Sequence, residues 1–145
     1  MAETTASMFD SCHSLKSLDL THFDVAWNKN FSNMFKDCYS LENLDISNWE
    51  TTESKDMSYM FLNCSSLIEL DIDKFDTKLV ENMEGMFESC TSIKNISLRS
   101  FNTQNCNNFK NMFKDCDKET KVYVKEQYCK NLIEAIKDYV DVQKE

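Results

Sequence analysis

Apolar residues recur along the chain with a constant spacing of 26 residues. A Met-Phe pair returns at this spacing, and a Cys follows three residues after each Phe. The pairs begin at Met8, Met34, Met60, Met86 and Met112, and the cysteines are Cys12, Cys38, Cys64, Cys90 and Cys116. A period of about 20 to 50 residues indicates units that bury their apolar side chains against one another. The chain is therefore predicted to be a repeat array.

Each unit contains two hydrophobic patterns. In the third unit, the apolar residues from Met57 to Cys64 fall at i, i+3, i+4 and i+7, the spacing of one helix face. Further on, Leu70 and Ile72 flank Asp71, and this apolar, polar, apolar order is typical of a short strand. The prediction for one unit is a short helix, a turn, a strand and a returning loop.

Units of this kind stack with their strands side by side. The predicted fold is α/β, a leucine-rich-repeat-like solenoid with a parallel sheet on one face and short helices on the other. Apolar residues between Tyr128 and Val140 recur at helical spacing and predict a C-terminal capping helix. The predicted organisation is a polar leader at 1–7, the solenoid at 8–124 with units starting near 8, 34, 60, 86 and 112, and the capping helix and tail at 125–145.

The outward side of the predicted sheet is the candidate ligand-binding surface. Its central row is Asp19, Asp45, Asp71, Ser97 and Tyr123, and Glu69, Asp73 and Arg99 complete the predicted site. Aspartates in this row have a structural alternative, because they can accept turn hydrogen bonds and their repulsion discourages edge pairing. Weak calcium binding between carboxylates is a further alternative, although the sequence contains no loop of closely spaced ligands.

The seven cysteines have several interpretations. The first is a stack of small buried thiols. Disulfides between adjacent units are also sterically allowed, since neighbouring strands lie about 5 Å apart. Zinc is disfavoured because a linear stack offers no tetrahedral arrangement and no Cys-x-x-Cys occurs. A thiol enzyme needs a base beside the sulfur, and the only histidines are His13 and His22. No catalytic residue, metal site or cofactor is predicted.

Composition restricts the classes of partner. The net charge of −9 argues against nucleic acid and anionic membranes, so the predicted partner is a protein. The sequence has no apolar run of about 20 residues that could span a bilayer. Residues 1–6 are too short and too polar for a signal peptide, so the chain is either cytoplasmic or separated from its leader. The first unit has no visible cap, which predicts weak self-association through the N-terminal end.

One unit, from Met60 to Thr77, has the form Met-Phe-x-x-Cys-x-Ser-Leu-x-x-Leu-Asp-Ile-x-x-Phe-Asp-Thr. This pattern resembles the BspA-like leucine-rich surface-protein family, also known for its mycoplasma-type lipoprotein repeat. The resemblance covers roughly Met8 to Val124. It implies a cell-surface or secreted protein that acts in adhesion or protein recognition, with a ligand on a host or neighbouring cell. The alternatives are an enzyme that uses thiol or metal chemistry, and a structural spacer with no ligand.

Overall fold

A computed structural model describes residues 3–145 of the protein. The regular elements in this part of the chain are β1 (Ser17–Asp19), β2 (Asn43–Asp45), β3 (Asn95–Ser97), β4 (Lys121–Val124), α1 (Glu126–Ile136) and β5 (Asp141–Lys144). β1 and β2 form one parallel sheet, and β3, β4 and β5 form another in that order. Most of the chain is therefore turns and loops, whose arrangement depends on contacts between units.

Residues one period apart lie side by side. The register of β1 with β2 aligns Leu18 with Leu44, and the register of β3 with β4 aligns Ile96 with Val122. Isolated parallel bridges make the same connection elsewhere in the unit, joining Thr4, Asn30, Asp56, Asn82 and Asn108 in turn. The period of 26 residues in the sequence is therefore also the spatial repeat.

The first unit begins earlier than the hydrophobic pattern predicts. Thr4 bridges to Asn30, and the Ser7 N–H donates to the Ser32 carbonyl at 2.9 Å. Residues 3–7 therefore belong to the first unit and not to a separate leader, because the bonding that joins units already includes them. Met1 and Ala2, the remainder of the predicted leader, lie outside the described residues.

The short helices predicted around each Met-Phe pair are wrong. These segments are series of overlapping turns, and α1 is the single α-helix of residues 3–145. In the second unit the Met34 N–H donates to the Phe31 carbonyl at 3.2 Å, and the Lys36 N–H donates to the Asn33 carbonyl at 3.1 Å. Each bond spans three residues, whereas an α-helix requires bonds that span four.

Left-handed backbone at two positions of each unit prevents a helix. In the third unit, Tyr59 has φ 57° and Asn63 has φ 61°. The equivalent residues with positive φ are Ser7, Ser11, Asn33, Asp37, Gly85, Ser89, Asn111 and Asp115. A right-handed helix needs φ near −60°, so it cannot pass through such residues. Asn, Asp and Gly tolerate this conformation and occupy most of the positions.

These turn segments are joined by backbone hydrogen bonds that all have the same direction. The Phe35 N–H donates to the Met60 carbonyl at 2.9 Å, and the Phe61 N–H donates to the Met86 carbonyl at 3.0 Å. In the second unit the donors are Phe31, Asn33, Phe35 and Asp37, and all four bond to carbonyls of the third unit. We call this set the turn ladder. It directs N–H groups toward the following unit and carbonyl groups toward the preceding unit.

A column of phenylalanine rings runs through the core, with one ring from each unit. The ring centroids are separated by 5.4 Å for Phe9 and Phe35, 5.6 Å for Phe35 and Phe61, 5.6 Å for Phe61 and Phe87, and 5.1 Å for Phe87 and Phe113. These distances suit stacked aromatic rings. The period therefore places identical side chains in contact from one unit to the next.

The cysteine column consists of free thiols that form hydrogen bonds. The Cys64 thiol donates to the Phe35 carbonyl at 3.2 Å. The same bond joins Cys38, Cys90 and Cys116 to the carbonyls of Phe9, Phe61 and Phe87, at 3.1 Å each. Cysteine fits this column because it is small and apolar, and because its S–H satisfies a buried carbonyl.

The predicted sheet is interrupted at the third unit. No strand is assigned around Leu70 in the described part of the chain, although the pattern predicts one there. The alternation of burial persists, since Leu70 is 8% exposed and Ile72 is 1% exposed while Asp71 faces solvent. Side-chain direction follows the hydrophobic pattern, but strand pairing also depends on how closely neighbouring backbones approach.

The C-terminal segment closes the array with two elements. α1 contributes the fully buried side chains Leu132 and Ile136 to the core. β5 then pairs with β4 and aligns Val142 with Val122. The helical spacing of the sequence extends to Val140, but α1 ends at Ile136, and the residues after Val140 form β5. This last strand was not predicted.

Ser54 is a local defect in this core. Its side chain is fully buried and its hydroxyl has no hydrogen-bond partner within residues 3–145. Val80 occupies the equivalent slot of the next unit and is also fully buried. We expect Ser54→Val to raise the free energy of unfolding by about 1–2 kcal/mol, because it removes an unsatisfied buried group. Urea denaturation should show a higher midpoint with an unchanged slope.

Thr77→Val is the matched control for this substitution. The buried Thr77 hydroxyl donates to the Asn102 carbonyl at 2.9 Å and accepts from the Asn102 N–H at 2.8 Å. Its loss should therefore destabilise the protein by about 1–3 kcal/mol. If both valine substitutions change stability in the same direction, hydrogen bonding is not what distinguishes the two sites.

Candidate functional site

An open depression of about 580 Å³ lies on the face formed by the strand segments of the first four units. We call it the sheet-face depression. Its lining residues are Ser17, Leu18, Asp19, Asn43, Leu44, Asp45, Ser47, Glu69, Leu70, Asp71 and Asn95. Polar side chains and carboxylates make up most of the lining, and three leucines of the strand segments supply an apolar part. The depression includes the third unit, where the sheet is interrupted.

The sheet-face depression brings together half of the predicted ligand-binding residues. Those that line it are Asp19, Asp45, Glu69 and Asp71. Those that do not are Asp73, Ser97, Arg99 and Tyr123. The structure therefore gathers the acidic, N-terminal part of the predicted site and leaves out its C-terminal part.

The aspartates of the central row accept hydrogen bonds that stabilise the turns that follow them. Oδ1 of Asp19 accepts the Thr21 N–H at 2.9 Å and the Thr21 hydroxyl at 2.7 Å. Oδ1 of Asp45 accepts the Ser47 N–H at 3.2 Å and the Ser47 hydroxyl at 2.8 Å. The bond from the Thr21 N–H is the main reason why the pKa of Asp19 lies below its ordinary value. The structural interpretation of this row thus has direct geometric support.

These turn bonds use only one oxygen of each carboxylate. Asp71 follows the same pattern, since its Oδ1 accepts the Asp73 N–H at 3.1 Å. The Oδ2 atoms of Asp19, Asp45 and Asp71 take part in none of the hydrogen bonds formed among residues 3–145. Each aspartate can therefore shape its turn and still offer one oxygen to a ligand.

No cationic side chain neutralises the carboxylates of the depression. None of the ion pairs within residues 3–145 includes Asp19, Asp45, Glu69 or Asp71. Lys and Arg are also missing from the residues that line the depression. The local potential is therefore negative, and solvent and salt weaken it because the surface is open.

The C-terminal part of the predicted row is engaged within the protein. The Arg99 guanidinium binds Glu145 in a bidentate ion pair with distances of 2.9 Å and 2.6 Å, and it lies 4.6 Å from the centre of the Tyr123 ring. The hydrogen bond to Arg99 lowers the pKa of Glu145 below its ordinary value. Arg99 and Tyr123 thus anchor the residue that follows β5.

Sequence reasoning omitted two groups of lining residues. Ser17, Asn43, Ser47 and Asn95 were left out of the predicted site, although they flank the aspartate row at alternate positions. The alternation does place them beside this row on the sheet face, but they were not included among the predicted binding residues. Leu18, Leu44 and Leu70 were assigned to the core alone, and no local sequence signal distinguishes a core leucine from one at the floor of a shallow depression.

The thiols offer little for catalysis. Burial raises the pKa of Cys38 and of Cys116 to about 11, and it raises the pKa of Cys64 and Cys90 as well. Protonated thiols are poor nucleophiles and poor metal ligands. Across residues 3–145, no three side chains among His, Cys, Asp and Glu are grouped in a way that could hold a metal ion.

The fold and the repeated columns define a protein built from equivalent units of 26 residues. Residues 3–125 match the family described as "Mycoplasma protein of unknown function, DUF285", and the chain belongs to this family. No curated protein and no solved structure matches the chain. Over residues 3–145, the structure contains no helix with the length and apolar character needed to cross a membrane.

Proposed function

We propose that this protein is a non-enzymatic recognition module that binds a basic segment of a protein ligand in the sheet-face depression. The observation that carries the proposal is a set of carboxylates without cationic partners around an apolar floor. A Lys or Arg side chain could bind the free oxygens while an adjacent apolar side chain contacts the leucines. Charge complementarity of this kind increases both the association rate and the specificity.

Two further observations favour binding over catalysis. The thiols that a cysteine enzyme would use donate hydrogen bonds to backbone carbonyls, as Cys64 does to Phe35. Their raised pKa values also keep them in the neutral form, which is unreactive. A structural spacer remains the second candidate function, because the turn bonds of Asp19 and Asp45 explain these aspartates without any ligand.

We also infer that the units form a solenoid of the leucine-rich-repeat type, with strand segments on one face and turns in place of the predicted helices. The support is that strand pairing, the turn ladder and the phenylalanine column all connect positions one period apart. A cell-surface location and a role in adhesion follow from the resemblance to the BspA-like family alone. Both are included here as proposals.

A charge-matched pair of variants tests the binding proposal. The probe is a short synthetic peptide of Lys, Leu and Ser, and its counterpart has Glu in place of Lys. In Asp19→Asn/Asp45→Asn/Glu69→Gln, we expect affinity for the Lys peptide to fall about tenfold, because the carboxylates are lost while the turn acceptors remain. Isothermal titration calorimetry at low and high salt should show this loss and a weaker complex at high salt.

The control variant removes three carboxylates that do not line the depression. Glu53→Gln/Glu81→Gln/Glu119→Gln changes the net charge by the same amount, and none of these residues contacts the depression. It should bind the Lys peptide with the same affinity as the unmodified protein. Equal weakening by both variants would attribute binding to net charge and contradict a local site. Equal binding of the Lys and Glu peptides would favour the spacer.

A further inference from the structure

The N-terminal end of the array exposes a methionine whose equivalents are buried in every other unit. Met8 is 46% exposed, whereas the equivalent Met34, Met60 and Met86 are 0% exposed and Met112 is 1% exposed. Phe9 and Cys12 are also only partly buried, unlike their counterparts in the second unit. The apolar core of the repeats is therefore partly exposed to solvent at this end. We call it the N-terminal end face.

The backbone groups that the turn segment presents at the end face are carbonyl groups, which accept hydrogen bonds. In the second unit, the Ser32, Met34 and Lys36 carbonyls accept N–H groups of the first unit at 2.9, 2.9 and 2.8 Å. The corresponding carbonyls of the first unit belong to Ala6, Met8 and Asp10, and they accept no backbone bond within residues 3–145. The turn segment of the end face thus presents acceptors at the spacing that a turn ladder requires.

The opposite end of the array is closed. Met112 and Phe113 in the fifth unit are 1% and 2% exposed, because α1 and β5 add side chains to the same core. A second copy of this chain would meet the end face either with its closed C-terminal end or with an identical set of carbonyl groups. An identical set of carbonyl groups cannot pair with the end face. At the C-terminal end, the N–H groups of Asn111, Phe113 and Asp115 donate no backbone bond within residues 3–145. The core at that end is already covered by α1 and β5, so it offers no exposed ring or methionine side chain to Phe9 and Met8.

We propose that the N-terminal end face is a docking surface for one further repeat of the same turn type, oriented with its ladder N–H groups toward Ala6, Met8 and Asp10. The proposal continues the interface seen between the units of this chain, where the same bonds recur at every junction. A docked repeat would place a ring on Phe9, as Phe9 does on Phe35 at 5.4 Å. It would also offer the Cys12 thiol a carbonyl equivalent to the one that Cys38 uses.

An inserted repeat tests the fit directly. A copy of residues 30–55 placed between Glu3 and Thr4 keeps the period and follows the sequence order of the junction at Asp56. The rate of Met8 oxidation by peroxide, followed by peptide mass spectrometry, reports on the covering of the end face. We expect oxidation of the original Met8 to slow about tenfold and to approach the rate of Met34, because exposure controls this reaction.

The control insertion carries proline at the copied positions of Asn33 and Asp37. Proline fixes φ near −65° and lacks an N–H, so this copy can neither adopt the left-handed turns nor donate to the end face. Oxidation of Met8 should then remain fast while the rest of the array stays folded by circular dichroism. Fast oxidation beneath the unmodified copy would overturn the proposal. A dimer of the unmodified chain that Met8→Glu abolishes would overturn it too, since a second copy would then cover the face.

Discussion

Phe61→Ala is expected to lower the free energy of unfolding by about 3–5 kcal/mol, because it leaves a cavity at the centre of the phenylalanine column. Phe61 is 0% exposed, and its ring stacks on both Phe35 and Phe87 with centroids 5.6 Å away. The units that it joins cannot move together to fill the space, because the turn ladder fixes their separation. Urea denaturation followed by circular dichroism measures the loss.

Phe9→Ala is the matched control in the same column. Phe9 is only partly buried, and Phe35 is its one stacked ring neighbour within residues 3–145. Its replacement should cost less than half as much as that of Phe61, since less apolar area leaves water on folding. Equal losses would mean that the column does not stabilise the array through stacking and burial between units.

Much of this core could be predicted from the sequence, because its side chains pack against equivalent side chains one period away. From the second unit onward the Phe61 and Leu70 columns are buried as the pattern predicts, since a side chain that packs against its own equivalent must recur at the same spacing. The segment after the repeats contains α1, where helical spacing predicts a helix. These features depend on local alternation, which a single sequence displays directly.

The turn segments could not be recognised from apolar spacing, because turns and helices share the i, i+3, i+4 pattern. A different signal was present. Asn33, Asp37 and Asn63 belong to two columns in which residues that tolerate positive φ recur. Such residues disfavour a helix interior, and their recurrence on either side of each Met-Phe pair argues for turns.

The site was predictable only where it depends on alternation. The outward direction of Asp19, Asp45 and Asp71 follows from the strand pattern. The absence of Arg99 from the depression could not be predicted in this way. Arg99 pairs with Glu145, which lies 46 residues further along the chain. Contacts of that kind depend on where β5 returns, and nothing in the residues next to Arg99 indicates it.

Alkaline pH is expected to destabilise the protein strongly, because its buried thiols resist ionisation. Burial raises the pKa of Cys38 from 9.0 to about 11, and it raises the pKa of Cys64 and Cys90 in the same direction. In the unfolded chain these thiols regain their ordinary pKa of about 9. Between these values the folded protein binds more protons than the unfolded chain, so stability falls as the pH rises.

The size of this effect follows from the number of thiols. Cys38 and Cys64 are 0% exposed and Cys90 is 1% exposed. Each should contribute a loss of about 1.4 kcal/mol per pH unit above pH 9, so that the three together cost on the order of 4 kcal/mol at pH 10. Below about pH 8 both states keep the thiols protonated, and these groups add no pH dependence. Urea denaturation at pH 8, 9 and 10 with reductant present measures the change.

Cys64→Ala/Cys90→Ala separates the thiols from other groups that titrate at alkaline pH. The variant should be less stable than the unmodified protein at pH 7, because two packed sulfur atoms are lost. Its stability should nevertheless decline more slowly as the pH rises, because two of the thiols with raised pKa values are removed while Cys38, Cys106, Cys116 and Cys129 remain. Tyr59 is one of these other groups, because its hydrogen bond to Glu84 raises its pKa in the folded protein from 10.0 to about 12. If the variant and the unmodified protein lose stability at the same rate between pH 8 and 10, tyrosine and lysine residues cause the alkaline instability, and the thiol column does not.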